Sequence, residues 1–562
     1  MKRSRNLLAL VLVAAAASPA LAQAPRPAGE GPLRHAPRPT AAAITPADAM
    51  TRVYALADDS MMGREVGTRG GVKTAEHLAR EARRLGLEPA GEGGTFFQTV
   101  PLEERALDPA STLSVDGAAL ALNTDFLPVP TVEGVFTFAD RMRPQAAPVV
   151  FGGVLGGPMI SAEAAQGKFV LFTAPTYRFW SAGALDRYAG AAGIAVAVLD
   201  ATPPDIVSYF TADQMSLVET GKPAPAVPAL VIVTTGAAQR MMGRALAGLT
   251  VGATGKTVTG DAGFRLTQPA FPAQNVIAVL RGSDPVLRNE YVALGSHADH
   301  DGFAEKAVDH DSLRVFNRVL RPEGADEAAA PATPQANARI AAMLDSLRKV
   351  RAARVDSVYN GADDDASGVA AMLEIAEYLA ANRPKRSVLF VWHTAEEKGL
   401  LGSEHFGEHP TVPRESIVAQ LNIDMIGRGA VGDLPGGGPG YLQLIGSRRL
   451  STQLGDLIEE INRAAGHGFT FDYTYDADGH PDNIYCRSDH YNYARWGIPV
   501  TFFTTGGHSE YHMVTDEPQY IDYEKLAKVT RLIADVTKSI GDRPARLVVD
   551  KPKPDPYGEC QQ

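Results

Sequence analysis

From Asn275 onward the chain repeats one pattern: a short, continuous apolar run, a polar cluster, then a helical stretch. The runs are Val276–Leu280, Tyr291–Gly295, Val388–Trp392, Val418–Ile423, Tyr441–Ile445 and Val500–Phe503. A strand that is apolar at successive residues buries both of its faces, as the strands of parallel sheets do. Helical patterns lie between and after the runs; in one, Val369, Met372, Leu373, Ala376, Leu379 and Ala380 share a face. The pattern predicts an α/β fold, a mixed and largely parallel sheet with helices on both faces. The chain has 562 residues, 45% hydrophobic and 21% charged, a balance that excludes a mainly disordered chain and a polytopic membrane protein. At roughly 100–200 residues per domain it holds several domains. Its net charge of −11 makes nucleic acid and anionic membrane poor partners.

The polar clusters fall where the strands should end. Tyr291–Gly295 runs into Ser296-His297-Ala298-Asp299-His300, and Val388–Trp392 into His393-Thr394-Ala395-Glu396-Glu397. Val418–Ile423 ends in Asp424, and Val500–Phe503 leads to His508-Ser509-Glu510-Tyr511-His512. Between the first two clusters lies Asp363-Asp364-Asp365-Ala366-Ser367-Gly368, directly before a helix. Taken singly, each has an ordinary explanation. His-x-Asp makes surface hydrogen bonds, an acidic triplet caps a helix N-terminus, and a Glu pair is a solvated face. Together, at the carboxyl ends of strands where open α/β sheets bind ligands, so many acids would repel one another unless divalent metals neutralised them.

These motifs resemble those of the co-catalytic dizinc aminopeptidases and glutamate carboxypeptidases, peptidase family twenty-eight, over roughly 50–125 and 270–540. The matching segments are Gly295–Asp299, Gly361–Gly368, Ala395–Ser403, Gln420–Met425, Arg487–Gly497 and Tyr511–Asp516. The resemblance implies a zinc exopeptidase fold and two zinc ions held by His297, Asp364, Glu397, Asp424 and His512, with Asp364 shared between them. It also implies Glu396 as general base, Asp299 as the carboxylate fixing the His297 tautomer, Tyr511 as oxyanion donor and Arg487 as a substrate contact. A cis peptide after Asp364 belongs to the same pattern. His300, His310, His393, His490 and His508 are expected in structural or solvent-facing roles, His393 packed.

The activity implied is that of a metallopeptidase acting on peptides, an aminopeptidase first. A carboxypeptidase of the glutamate type would need a basic pocket, and no Arg cluster supplies one. A non-catalytic protein like the transferrin receptor would have lost ligands, and all five are present. Cyclases of N-terminal glutamine are mononuclear, whereas the dinuclear set is complete.

The remaining sequence reads as accessory. Lys2, Arg3 and Arg5, the apolar Leu7–Ala17 and Ala20-Leu21-Ala22 build a secretory signal peptide over 1–22, so a secreted or periplasmic protein without stable membrane insertion is expected. Residues 23–48 read as a linker, 49–139 as the first part of the peptidase domain, 270–542 as its main part and 543–562 as a tail. Short apolar runs at Phe169–Phe172, Ile194–Leu199 and Ala229–Val233, with a helical stretch at Tyr188–Ala192, suggest a small separate α+β domain over 140–265. Gly167–Leu171 and Ala189–Ala197 resemble the protease-associated domain that many family members insert. Gly252–Thr257 lacks the first glycine of a phosphate loop. Residues 301–359 interrupt the main domain, with an Ala/Pro/Glu-rich stretch at Arg321–Ala338 that reads as mobile and a charged helix at Arg339–Val355. Cys486 and Cys560 are too few for a disulfide scaffold, though export permits a bridge between them.

Overall fold

The computed structural model describes residues 30–132, 137–178, 184–218 and 227–562; the expected signal peptide lies outside them. All six apolar runs are strands of one nine-stranded sheet. Four adjacent strands, Ser387–His393, Tyr291–His297, Ile417–Ile423 and Val500–Thr504, are mutually parallel. Ala273–Leu280 and Tyr441–Ile445 flank them antiparallel. Side chains alternate across the sheet as the pleat requires. Ala278, Val292, Leu294, Phe390 and Leu421 join one apolar cluster, while Ile277, Val279, Ala293, Leu389 and Val391 join another on the opposite face. The first face is covered by the helices Pro46–Leu56, Ala366–Ala381 and Tyr523–Asp542, the second by residues including Phe406, Tyr491 and Tyr493. The middle helix, Ala366–Ala381, is buried on almost every side.

A second sheet of eleven strands forms the small unit. It too has a parallel centre, Ala147–Val154, Phe169–Thr173, Gly193–Ala197 and Leu230–Val233, between two apolar clusters. Its strands begin at Leu102, because Leu102–Leu107, Thr112–Val115, Ala118–Leu120 and Phe126–Pro128 all pair within it. The unit therefore starts near residue 102 rather than 140. It leaves and rejoins the main sheet at neighbouring points: Thr267 pairs with Glu104, and Ala273 with Val100. Where a helix was expected at Tyr188–Ala192, the chain makes only a 3-10 turn, Asp186–Tyr188; the small residues that follow enter the strand Gly193–Ala197.

Three more segments complete the fold. The linker region from residue 30 packs as a strap: Glu30 pairs with Arg314 and Arg351, Gly31 N donates to Gln519 O, and Ile44 is buried. Residues 301–359 are framed by the antiparallel strands Phe303–Asp309 and Val355–Val358, which enclose the helices His310–Leu320 and Pro334–Arg348. The Ala/Pro-rich stretch between the helices is held in place, with Ala325 N donating to Tyr511 O and Ala330 N to Leu320 O. The tail is tied down by a Cys486–Cys560 disulfide, Cα atoms 5.8 Å apart.

Candidate metal centre

Each strand of the parallel quartet delivers a functional group from its carboxyl end. His297 closes its strand, Glu396 and Glu397 follow Ser387–His393 through Ala395 at positive φ, and Asp424 follows Ile417–Ile423. His512 lies in the loop after Val500–Thr504. Asp364 comes from the turn before the helix Ala366–Ala381, and the Asp364–Asp365 peptide is cis, as the resemblance implied.

The five residues meet. Asp364 stands between two imidazoles, Oδ1 at 2.9 Å from His297 Nε2 and Oδ2 at 3.0 Å from His512 Nε2. Asp424 Oδ1 is 3.6 Å from His297 Nε2. Glu397 Oε2 is 2.9 Å from His512 Nε2. Glu396 belongs to the same group, close to His297 and Glu397. Although burial opposes charge on an imidazole, the Asp364 and Glu397 carboxylates push His512 up to about 12, and Glu396, Asp424 and Asp364 raise His297 well above its ordinary value. Burial raises Glu396 well above the usual carboxylate range as well. Both imidazole positions thus sit where clustered acids call for positive charge. Carboxylate and imidazole donors in two groups sharing one carboxylate suit divalent ions of the zinc class.

The turn carrying Asp364 is fixed from several directions. Asp516 Oδ2 accepts the amides of Asp363 and Asp364 at 2.9 and 3.1 Å. Asp365 Oδ1 caps the helix at Gly368 N and also accepts from Met425 N. Gly361 permits the turn: its φ is +50°, and a Cβ there would lie 2.6 Å from the His300 ring. Arg64, almost wholly buried, donates to the main-chain carbonyls of Leu56, Ala298, Asn360, Gly361 and Asp364. Ser488 Oγ donates to Asp424 Oδ2 at 2.7 Å.

Asp299 is placed differently from expectation. His297 Nδ1 meets the main-chain carbonyl of Asp299 at 3.2 Å, while the carboxylate stays 4.0 Å away. That carboxylate instead accepts the amides of Glu396 and Glu397 at 3.2 and 3.4 Å. The short loop between His297 and Asp299 turns the backbone, not the side chain, towards the ring. The backbone therefore holds the tautomer, and the carboxylate holds the Glu pair.

His300, expected in a structural or solvent-facing role, takes an interior one. It is fully buried, with Nδ1 2.5 Å from Glu397 Oε1. His393 packs, as expected, against Phe406 and Tyr493, and burial lowers it to about 3. His508 sits behind the site between Asp363 and Glu510, and Glu510 is paired with Arg428 and Arg314. Tyr511 stacks on His512 with ring centroids 4.0 Å apart, and its hydroxyl lies 3.3 Å from Arg487 Nη2. Burial raises the Tyr511 phenol well above its ordinary value, so it remains a proton donor. Arg64, Asp516 and Ser488 were not singled out by sequence. Asp516 and Ser488 lie inside the matching segments, whereas nothing near Arg64 marks it.

Residues 275–537 match Peptidase family M28. An aminopeptidase of Pseudomonas aeruginosa is 47% identical over 79 residues, 13% of this chain and 15% of that protein. The leupeptin-inactivating enzyme 1 of Streptomyces exfoliatus is 33% identical over 153 residues, 26% of this chain and 30% of that one. The chain thus spans less than a third of the length of these curated relatives. Among solved structures, an aminopeptidase from Aneurinibacillus sp. strain AM-1 aligns over 91% of this chain and 97% of its own, at 17% identity and a TM-score of 0.46. A zinc aminopeptidase from Bacillus subtilis aligns over 90% and 98%, at 17% identity and a TM-score of 0.43. The match to Peptidase family M28 thus covers just under half of this chain, and it is the half that bears the site.

Proposed function

We propose that the protein is an exported zinc metallopeptidase, an aminopeptidase that removes N-terminal residues from peptides. The observation that carries this reading is Asp364, one oxygen facing His297 and the other His512. His297, Asp364 and Asp424 would hold one zinc ion, and Asp364, Glu397 and His512 a second. Bound there, zinc acidifies water and polarises a peptide carbonyl.

The chain's own groups do the rest. The Glu396 carboxylate takes the proton of the attacking water and passes it to the leaving amine. Burial raises it above the ordinary carboxylate range, the direction a proton shuttle near neutral pH requires. Tyr511 donates its hydroxyl proton as a hydrogen bond to the developing oxyanion. Asp299 keeps Glu396 and Glu397 aimed through their amides, and its carbonyl orients His297. Arg487 contacts the substrate beyond the scissile bond. Clustered carboxylates suit a free α-ammonium group, which favours peptide N-termini. The 102–267 unit, read as a protease-associated domain, walls the site and takes no part in the chemistry. The signal-peptide pattern over 1–22 and the Cys486–Cys560 bridge support export, since disulfides persist in oxidising compartments.

The test is metal analysis together with hydrolysis of leucine p-nitroanilide, with and without chelator. Two equivalents of zinc and chelator-sensitive release of p-nitroaniline are expected. One tightly held equivalent with full activity would sink the two-ion reading, and cleavage of N-acetylated but not free peptides would sink the aminopeptidase reading.

A further inference from the structure

The 301–359 excursion brings one carboxylate to the rim of the site, and none of the roles above uses it. Asp326 Oδ1 accepts from Arg487 Nη2 at 2.9 Å, and the same nitrogen lies 3.3 Å from the Tyr511 hydroxyl. Tyr511 in turn stacks on His512, so Asp326 is two side chains away from a metal-ligand position. The approach is built into the backbone. Ala325 N donates to Tyr511 O at 3.1 Å. Gly324 has φ +63°, and a Cβ there would stand 2.6 Å from Tyr511 O and 2.8 Å from His508 O. Only glycine allows this turn of the excursion to lie on the loop that carries Tyr511 and His512. The Arg487 and Asp326 side chains remain 36% and 39% exposed, so the pair opens to whatever enters the site.

We propose that Asp326 is a specificity-determining residue: by occupying Arg487 it denies a substrate carboxylate the cation beside Tyr511. Guanidinium binds carboxylate through a planar fork, and a substrate carboxylate competes directly with one that the fold already holds there. The site thereby turns away acidic first residues and dipeptides whose C-terminal carboxylate reaches the same point. This inference rests on the peptidase reading above.

The test uses the zinc-loaded full chain and two substrate pairs. Glutamate against leucine p-nitroanilide probes an acidic side chain, and Leu-Gly against Leu-Gly amide probes a C-terminal carboxylate. Asp326→Asn should raise the kcat/KM ratio in favour of the acidic member of at least one pair by about tenfold, the order of one charge-assisted contact, through KM rather than kcat. The pair that responds identifies which carboxylate is read. Asp326→Glu should keep the original ratio, and Asp326→Asn combined with Arg487→Gln should return to it. Dissociation constants for Leu-Gly and its amide, measured by calorimetry in the Glu396→Gln background, carry the same comparison without turnover. Unchanged ratios and dissociation constants, or a gain that survives the loss of Arg487, would overturn the proposal. A wild-type protein that cleaves none of the four substrates would overturn the peptidase reading instead, leaving the calorimetric comparison to decide this one.

Discussion

The two sheets of this chain have similar centres and unlike edges. Each has four parallel strands packed between two apolar clusters. In the main sheet the carboxyl ends open onto His297, Glu396, Glu397, Asp424 and His512. In the second they open onto Val154-Leu155-Gly156, Ala174-Pro175, Val198-Leu199 and Thr234-Thr235. No histidine occurs anywhere between residues 102 and 267, and among the described residues every candidate metal-holding group lies outside that span. A covered parallel sheet thus offers a place for chemistry, and the loops decide whether any is present.

The sharpest way to break this contrast is at the main sheet's own edge. Glu396→Gln should lower kcat by about 10²–10⁴-fold while zinc content is kept, because the proton carrier is lost and the ligands are not. Glu397→Gln should lose zinc as well. Turnover near the wild-type level in Glu396→Gln, with zinc bound, would show that the base has been misassigned.

Arg64 comes next. Arg64→Met takes the guanidinium from five buried carbonyls; Gly361 O keeps the Ala366 amide, and each of the others costs about 1–3 kcal/mol if left unpaired. Partial rehydration leaves a net loss of roughly 3–5 kcal/mol, read as a fall in urea midpoint at constant m-value. A change below about 1 kcal/mol would mean that the turn holds without the guanidinium.

Acidification should act on the main unit. His490, pressed against Phe502 and lowered to about 3 by burial, stays neutral in the fold. Its unfolded form titrates near 6.5, so between pH 6.5 and 3 the unfolded chain binds the extra proton. The stabilising contribution is complete above pH 6.5 and is lost as pH falls below it, by about 2 kcal/mol at pH 5. In His490→Gln, stability should therefore fall less than in wild type between pH 7 and pH 5, by about that amount. Parallel profiles for the two proteins would refute a neutral His490.

The smallest effect is expected from removing the second sheet altogether. Its entry and exit are adjacent, at Val100 and Ala273, so a short flexible linker can replace residues 102–267. Hydrolysis of leucine p-nitroanilide should stay within about tenfold, ~1.4 kcal/mol, while preference for peptide length changes. A folded, zinc-replete deletion without activity on the anilide would show that the second sheet supplies a catalytic group.

What the sequence disclosed follows from which forces are local. The six strands of the main sheet were legible because continuous apolar runs admit few other placements, and the polar clusters at their ends because they follow those runs directly. The edge of the second unit was not legible: Leu102–Leu107 reads Leu-Glu-Glu-Arg-Ala-Leu, a mostly polar strand identified only by its partners. The role of Asp299 was implied by the resemblance, but whether its carbonyl or its carboxylate meets His297 depends on a loop torsion that a motif does not encode. Composition marked Arg321–Ala338 as loose, although its backbone finds partners in Tyr511 and Leu320.

Arg64 also bears on how the protein comes into being. Its partners Ala298 and Asp364 lie 234 and 300 positions further along the chain, with the whole second sheet synthesised in between. Contacts across such separations carry a large loop-closure cost and form slowly. The strands of the second sheet all lie within 102–267 and are made before residue 298, whereas the turn that carries Asp364 must wait until residue 516 has emerged to hold it from the other side. The turn that carries Asp364 therefore acquires its full set of contacts only on a chain that is nearly whole, after every strand of the second sheet has been synthesised.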